Sequence, residues 1–227
     1  MPETLQLGPF LLKTQWLVIA LSVLAGYVVF RYRLKAGSYP PKQIAETIEN
    51  SLVIAVVLWK FSLVIFHPVR VITNPLALLY FSGGERGVWL AAVVVILYLY
   101  YRSKKDQVSI WVYGDLLAVG SLAASAVYHM IFLFLTRQTF WANLSQALIS
   151  LIILLAILLK TKAAGKPYYL TRVVLWFSLG RVFSAYLDPL KQNYIRGFSK
   201  EQILFLLLAI LSFTIDWFIE KRKLKKV

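Results

Sequence analysis

Apolar residues in this chain fall in long unbroken runs. They lack the strict alternation of a half-buried strand and the one-sided period of a surface helix. Seven runs can be read: Thr14–Phe30, Ser51–Phe66, Val88–Tyr101, Ile110–Leu135, Phe140–Leu159, Leu170–Leu187 and Gln202–Ile219. Each is near the roughly 20 residues that a helix needs to cross a bilayer. The pattern predicts an all-α membrane protein of seven transmembrane helices, forming a single polytopic domain over residues 1–227. The fourth run is long, and Gly114 and Gly120 within it predict a tilt or a kink. The third is short by its own count and is expected to begin further back, at Gly83-Gly84.

Between the second and third runs lies His67–Trp89, HPVRVITNPLALLYFSGGERGVW, too apolar for a solvated loop and too broken for a span. Pro68 and Pro75 interrupt any helix running through it, and Asn74-Pro75 signals a turn or a helix start. The stretch predicts an interfacial or re-entrant segment before the third helix. It would be a short amphipathic helix over Pro75–Phe81, followed by a glycine turn carrying Glu85 and Arg86.

Composition agrees with the pattern. With 59% hydrophobic residues, the chain has more apolar surface than a soluble core could hide. The formal net charge of +15 then acts as an orientation signal and calls for no nucleic-acid partner. Of the 25 Lys and Arg, 16 follow spans one, three, five and seven, among them Arg31, Arg33, Arg102, Lys160, Arg172 and Lys221. Seven fall on the other side (Lys13, Arg70, Arg86, Arg137, Lys191, Arg196 and Lys200), and Lys60 and Arg181 lie inside spans. The rule that positive loops stay inside predicts an external N-terminus and a cytoplasmic C-terminus. It also makes Pro40–Asn50 a cytoplasmic helical lead-in to span two. No cleavable signal peptide is read at the start. The absence of Cys excludes disulfides and thiol chemistry, and two His with ten carboxylates leave little for a metal site; no metal or cofactor is expected.

A charge near the middle of a span costs about 2.5–3.5 kcal/mol, so each one needs a partner or a purpose. By depth along their spans, Lys60, His129 and Arg181 share one outer layer with Asp188, Glu85, Arg86 and Arg70. Lys60 has a snorkelling alternative, and His129 can serve as a hydrogen-bonded core residue. Arg181 cannot be neutralised by burial. It has no carboxylate one turn away, and Asp188 is its nearest intrachain candidate. A phosphate headgroup, accepting two hydrogen bonds from the guanidinium, is the external option. Asp115 lies towards the inner end of its span. Asp216 and Glu220 are read as balancing the Lys221–Lys226 run.

The order of these features resembles prolipoprotein diacylglyceryl transferase. The resemblance runs through "LGPFLLKTQWLVIA", "PPKQIAETIEN", "NPLALLYFSGGERG", "FSLGRVFSAYLDP" and "GFSKEQILFLLLAIL", and so covers most of the chain. It implies a bacterial plasma-membrane protein of lipoprotein biogenesis that receives phosphatidylglycerol from the outer leaflet. In the family, the diacylglyceryl group passes to a lipobox cysteine of a prolipoprotein. Arg181 falls on the family's sixth-span arginine, and Gly83-Gly84 on or near its double-glycine turn. The lipid-binding set implied is Arg181, Lys60, Gly83, Gly84, Arg86 and His129. The family's span-four signature of Arg, Asn and an acid is replaced by Ala118–Ser125, AVGSLAAS, and the acid after the span-six arginine by Ala185. The span-one His-Trp-Tyr reads Gln15-Trp16-Leu17. The resemblance therefore implies the fold and an anionic-phospholipid site more directly than it implies the transfer. Two alternatives stand beside it. One is a noncatalytic lipid-binding subunit or chaperone that takes a lipoprotein precursor or a partner's transmembrane helix. The other is a small-solute or proton-coupled transporter using Lys60, His129 and Asp115.

Overall fold

In a computed structural model, the described residues are 4–7, 10–37, 40–74, 78, 83–160, 165–195 and 197–224, with the side chains of 4–13, 70 and 222–224 left aside. Eight helices are labelled here in chain order: α1 Thr14–Lys35, α2 Pro41–Phe66, α3 Pro68–Thr73, α4 Gly84–Lys105, α5 Ile110–Leu135, α6 Phe140–Leu159, α7 Pro167–Tyr186 and α8 Lys200–Leu224. Ahead of them, β1 (Thr4–Leu7) pairs antiparallel with β2 (Phe10–Lys13) in a small hairpin that the apolar pattern does not announce.

Six of the helices, α1, α2, α4, α5, α6 and α8, are long and apolar enough to cross a membrane. Only 17–33% of their apolar windows is buried within the protein, so most of that surface faces outwards. Water would not tolerate so much exposed Leu, Ile, Val and Phe, and lipid does. The sixth predicted crossing also forms as a helix, α7, but it falls short of the others in apolarity. Its two arginines and three tyrosines account for that. α1, α2, α4 and α8 run past the apolar runs that predict them. α2 absorbs the lead-in from Pro41, and α4 begins at the glycine turn as expected. The helix expected over Pro75–Phe81 lies, apart from Leu78, outside the described residues. Pro68 starts the short α3, a position where its missing N–H costs nothing.

The chain falls into two compact units, Met1–Ser38 with Gly114–Val227, and Tyr39–Tyr113. In the first, Val119, Leu122 and Ala123 of α5 pack with Leu154 and Ile157 of α6 and Val173 of α7. α5 is continuous over 26 residues, and its glycines serve helix packing. A Cβ on Gly26 would lie 2.5 Å from the Gly120 carbonyl oxygen and 3.2 Å from Ala124 Cβ, so α1 and α5 meet through small residues. Gly114 leaves room for Leu170 of α7. At the start of α8, Ser199 and Gln202 form a reciprocal capping box: Ser199 N–H donates to Gln202 Oε1 at 3.0 Å, and Gln202 N–H to Ser199 Oγ at 3.2 Å. Fully buried Gln202 also donates its Nε2 to the Val182 carbonyl, fixing α8 to α7.

In the second unit, α2 and α4 pack through the glycine turn. Gly83 has φ +74°, a conformation that favours glycine, and an added Cβ would strike the Trp59 ring. Ser62 Oγ donates to the Gly83 carbonyl at 3.0 Å, and Gly87 lies against the same serine. Further along α4, Arg102 donates to Thr47 Oγ1 of α2 and pairs with Asp106 at 3.0 Å.

Candidate functional site

Within the first unit, one end of α5, α6, α7 and α8 encloses a cavity of about 360 Å³, in the size range of small-molecule sites. Tyr128, His129 and Phe132 line it from α5, Asn143 and Gln146 from α6, Arg181 and Ser184 from α7, and Glu201 and Phe205 from α8. Asp188, just past α7, completes its rim. Close approach of α6 to α7 at Gly180, where a Cβ would meet Ile149, sets the adjacent Arg181 at this wall.

The polar groups form a chain whose donors and acceptors can be assigned. Arg181 Nη1 lies 3.2 Å from His129 Nε2, and a guanidinium only donates, so Nε2 is the acceptor. Asn143 Nδ2 donates to the Thr139 carbonyl and hydroxyl at 3.1 and 2.8 Å, leaving its Oδ1 to face His129 Nδ1 at 2.8 Å. His129 is thereby held as the Nδ1–H tautomer, with both ring nitrogens engaged. The other edge of the guanidinium reaches Glu201 Oε2 from Nη2 at 3.4 Å, and its face lies 5.1 Å from the Phe205 ring centroid.

Expectation and placement differ in instructive ways. Arg181 and His129 come together. Lys60, Gly83, Gly84 and Arg86 belong to the second unit: Lys60 half-buried on α2, the two glycines in the turn, and Arg86 exposed in the first turn of α4. The partner of Arg181 is Glu201 rather than Asp188. Asp188 instead accepts the Leu190 N–H at 2.9 Å and closes the turn after α7. Arg33, expected in a loop, is buried because α1 runs on to Lys35, and it pairs with Asp115. Asp216 is met by Arg172 at 3.3 Å and by the Thr171 hydroxyl at 3.2 Å; apart from Lys221, the side chains of the terminal basic run lie outside the described residues. Sequence reasoning missed Asn143, Gln146 and Glu201. A signal existed for the first two, since Asn143, Gln146 and Ser150 recur at helical spacing on the buried stripe of α6.

No family model matches the chain. It is similar to a phosphatidylglycerol–prolipoprotein diacylglyceryl transferase from Halalkalibacterium halodurans, with 26% identity over 123 residues. The match covers 54% of this chain and 43% of that enzyme, less than half of its length. What the two share is a distant and partial likeness.

Proposed function

We propose that this chain is a diacylglyceryl-transferase-like integral membrane protein whose Arg181 pocket holds the phosphate of an anionic phospholipid drawn from the outer leaflet. In this reading the N-terminus is external and the C-terminus cytoplasmic, with α7 as the seventh crossing helix of one polytopic domain in a bacterial plasma membrane. The lipid is phosphatidylglycerol, the substrate in the name of the similar enzyme.

One observation carries the reading. The ion-pair partner of Arg181 is a long, open contact at 3.4 Å to Glu201, whose side chain is 73% exposed. A guanidinium among apolar helices favours a better anion, and a phosphate offers it two parallel hydrogen bonds. Phe132 and Phe205 supply the apolar wall against which the glycerol backbone would lie.

The test is the lipid that stays with the protein through purification in mild detergent. Arg181→Ala is expected to lower retained phospholipid at least tenfold, the loss of a charge-assisted bidentate contact, and Arg181→Lys to restore part of it. Unchanged lipid content and composition would end the headgroup reading. The family's reaction is tested separately, by transfer of labelled diacylglycerol from phosphatidylglycerol to a lipobox peptide.

His129 favours a second reading for the transfer step, that of a noncatalytic lipid-binding subunit or chaperone. A base needs a free lone pair, and that of His129 Nε2 is taken by Arg181. Such a protein would hold lipid, transfer nothing to the peptide, and co-purify with a constant membrane partner. A proton-coupled carrier is less well supported, because Asp115 is sealed in its pair with Arg33.

A further inference from the structure

The charges that line the pocket say more about its ligand than the phosphate does. Against the single guanidinium of Arg181 stand two carboxylates, Glu201 and Asp188, while His129 is held neutral by its two hydrogen bonds. Lys191 and Lys200, which flank the rim residues Leu190 and Glu201 in sequence, are turned to other groups. Lys191 donates to the Gly197 carbonyl at 2.6 Å, and Lys200 lies 5.1 Å from the Tyr194 ring centroid. A phosphate that takes the Nη2 edge of Arg181 displaces Glu201 but leaves it beside the ligand, since Glu201 is fixed in the first turn of α8 by the adjacent capping box. A displaced carboxylate can only accept hydrogen bonds. Beside a second anion it repels; beside a donor it forms a charge-assisted bond. Gln146 also lines the cavity; it is 4% exposed, and its buried Oε1 has no partner among the described residues.

We infer that Glu201 is a specificity-determining residue: it selects phospholipids whose headgroup carries a hydrogen-bond donor beyond the phosphate, either the hydroxyls of a polyol or an ammonium N–H. This rests on the part of the lipid reading given above that puts a phospholipid phosphate on Arg181, and not on the lipid's net charge. It adds to that reading a requirement which the phosphate site alone does not impose. Arg181 holds the phosphate and Glu201 accepts from the head.

The experiment is competitive lipid binding by native mass spectrometry of the full-length protein, with two charge-matched pairs. Phosphatidylglycerol against phosphatidylmethanol isolates the hydroxyl donors, and phosphatidylethanolamine against phosphatidylcholine isolates the ammonium donors. Wild-type protein is expected to prefer the donor-bearing member of at least one pair by about tenfold, the range for a hydrogen bond to a charged group. The pair that shows the preference identifies the source of the donor. Glu201→Ala, at an exposed helical position where folding is not at risk, is expected to bring that ratio to about one while Arg181-dependent binding persists or rises. Equal binding within both pairs by the wild type, or a preference that survives Glu201→Ala, overturns the assignment to Glu201 and leaves the Arg181 site standing. If Arg181→Ala fails to change phospholipid binding at all, the underlying lipid reading falls and this inference with it.

Discussion

Two arginines in the first unit sit among apolar helices, and they are held in opposite ways. Arg33, at the end of α1, is 2% exposed; its Nε donates to Asp115 Oδ2 at 3.2 Å and its Nη1 to the Ile157 carbonyl at 3.1 Å. Its carboxylate is sealed too, with 6% of the Asp115 side chain exposed. Arg181, in α7, is 22% exposed, and its carboxylate partner is 73% exposed at the mouth of a cavity. The arginines differ less than their partners do. A sealed carboxylate makes the first pair a permanent joint between α1, α5 and α6, because neither charge has anywhere else to go. An open carboxylate makes the second pair exchangeable, because Glu201 is well solvated when released.

The largest effect is expected where the joint is cut. Arg33→Ala would leave Asp115 buried and unpaired, at a cost of about 3–5 kcal/mol. It would also take the guanidinium away from the Ile157 carbonyl near the end of α6. Thermal unfolding in detergent should show a steep loss, and replacing both partners with Leu should recover most of it. A single substitution as mild as a surface change would mean that the pair is not sealed.

Arg181→Ala is expected to cost about 1 kcal/mol or less in the same melt, because Glu201 returns to solvent. Its large effect is on retained lipid. The contrast sharpens with the conservative pair Asp115→Asn and Glu201→Gln. The first should lower the unfolding midpoint clearly, and the second should leave it nearly unmoved. If Arg181→Ala unfolds the protein as Arg33→Ala does, the two arginines are alike and the exchangeable contact is a structural one.

Much of this was legible in the chain, and what was hidden has a common cause. The runs Ile110–Leu135 and Phe140–Leu159 became helices with those very bounds, because hydrophobic length depends on the chain alone. Arg181 and His129 stood out as charged or titratable residues inside apolar runs, and they meet. Pairing is a different matter, since it depends on which helices become neighbours. Arg33 looked like a loop cation because the apolar run stops before it, yet the helix does not. Glu201 does not stand out in the sequence, because an acid in a helix's first turn is ordinary there, favoured by the helix dipole. Its role follows only from α8 packing on α7, and Gln202 secures that packing through the Val182 carbonyl. From sequence, Gly114 and Gly120 mark places where a long span tilts or kinks, and the packing adds what the chain alone does not show, the close approach of Gly26 to Gly120.

The smallest predicted effect tests how finely Arg181 is positioned. Asn143 lines the pocket and reaches Arg181 through His129: its Oδ1 holds His129 Nδ1–H, and His129 Nε2 then holds Arg181 Nη1. Asn143→Ala removes the acceptor that fixes the tautomer, so the ring is free to carry its N–H on Nε2, facing a guanidinium that cannot accept it. One lost hydrogen bond in a partly buried network should cost about 1 kcal/mol of stability. Retained phospholipid should fall about threefold, less than for Arg181→Ala, because the charge remains while its aim is lost. Asn143→Gln, which keeps the amide but displaces it, should lie between the two. Were Asn143→Ala to lower the melting midpoint with no change in lipid, the His129–Asn143 pair would belong with Arg33 and Asp115 as framework, and only the outer edge of Arg181 would remain in the site.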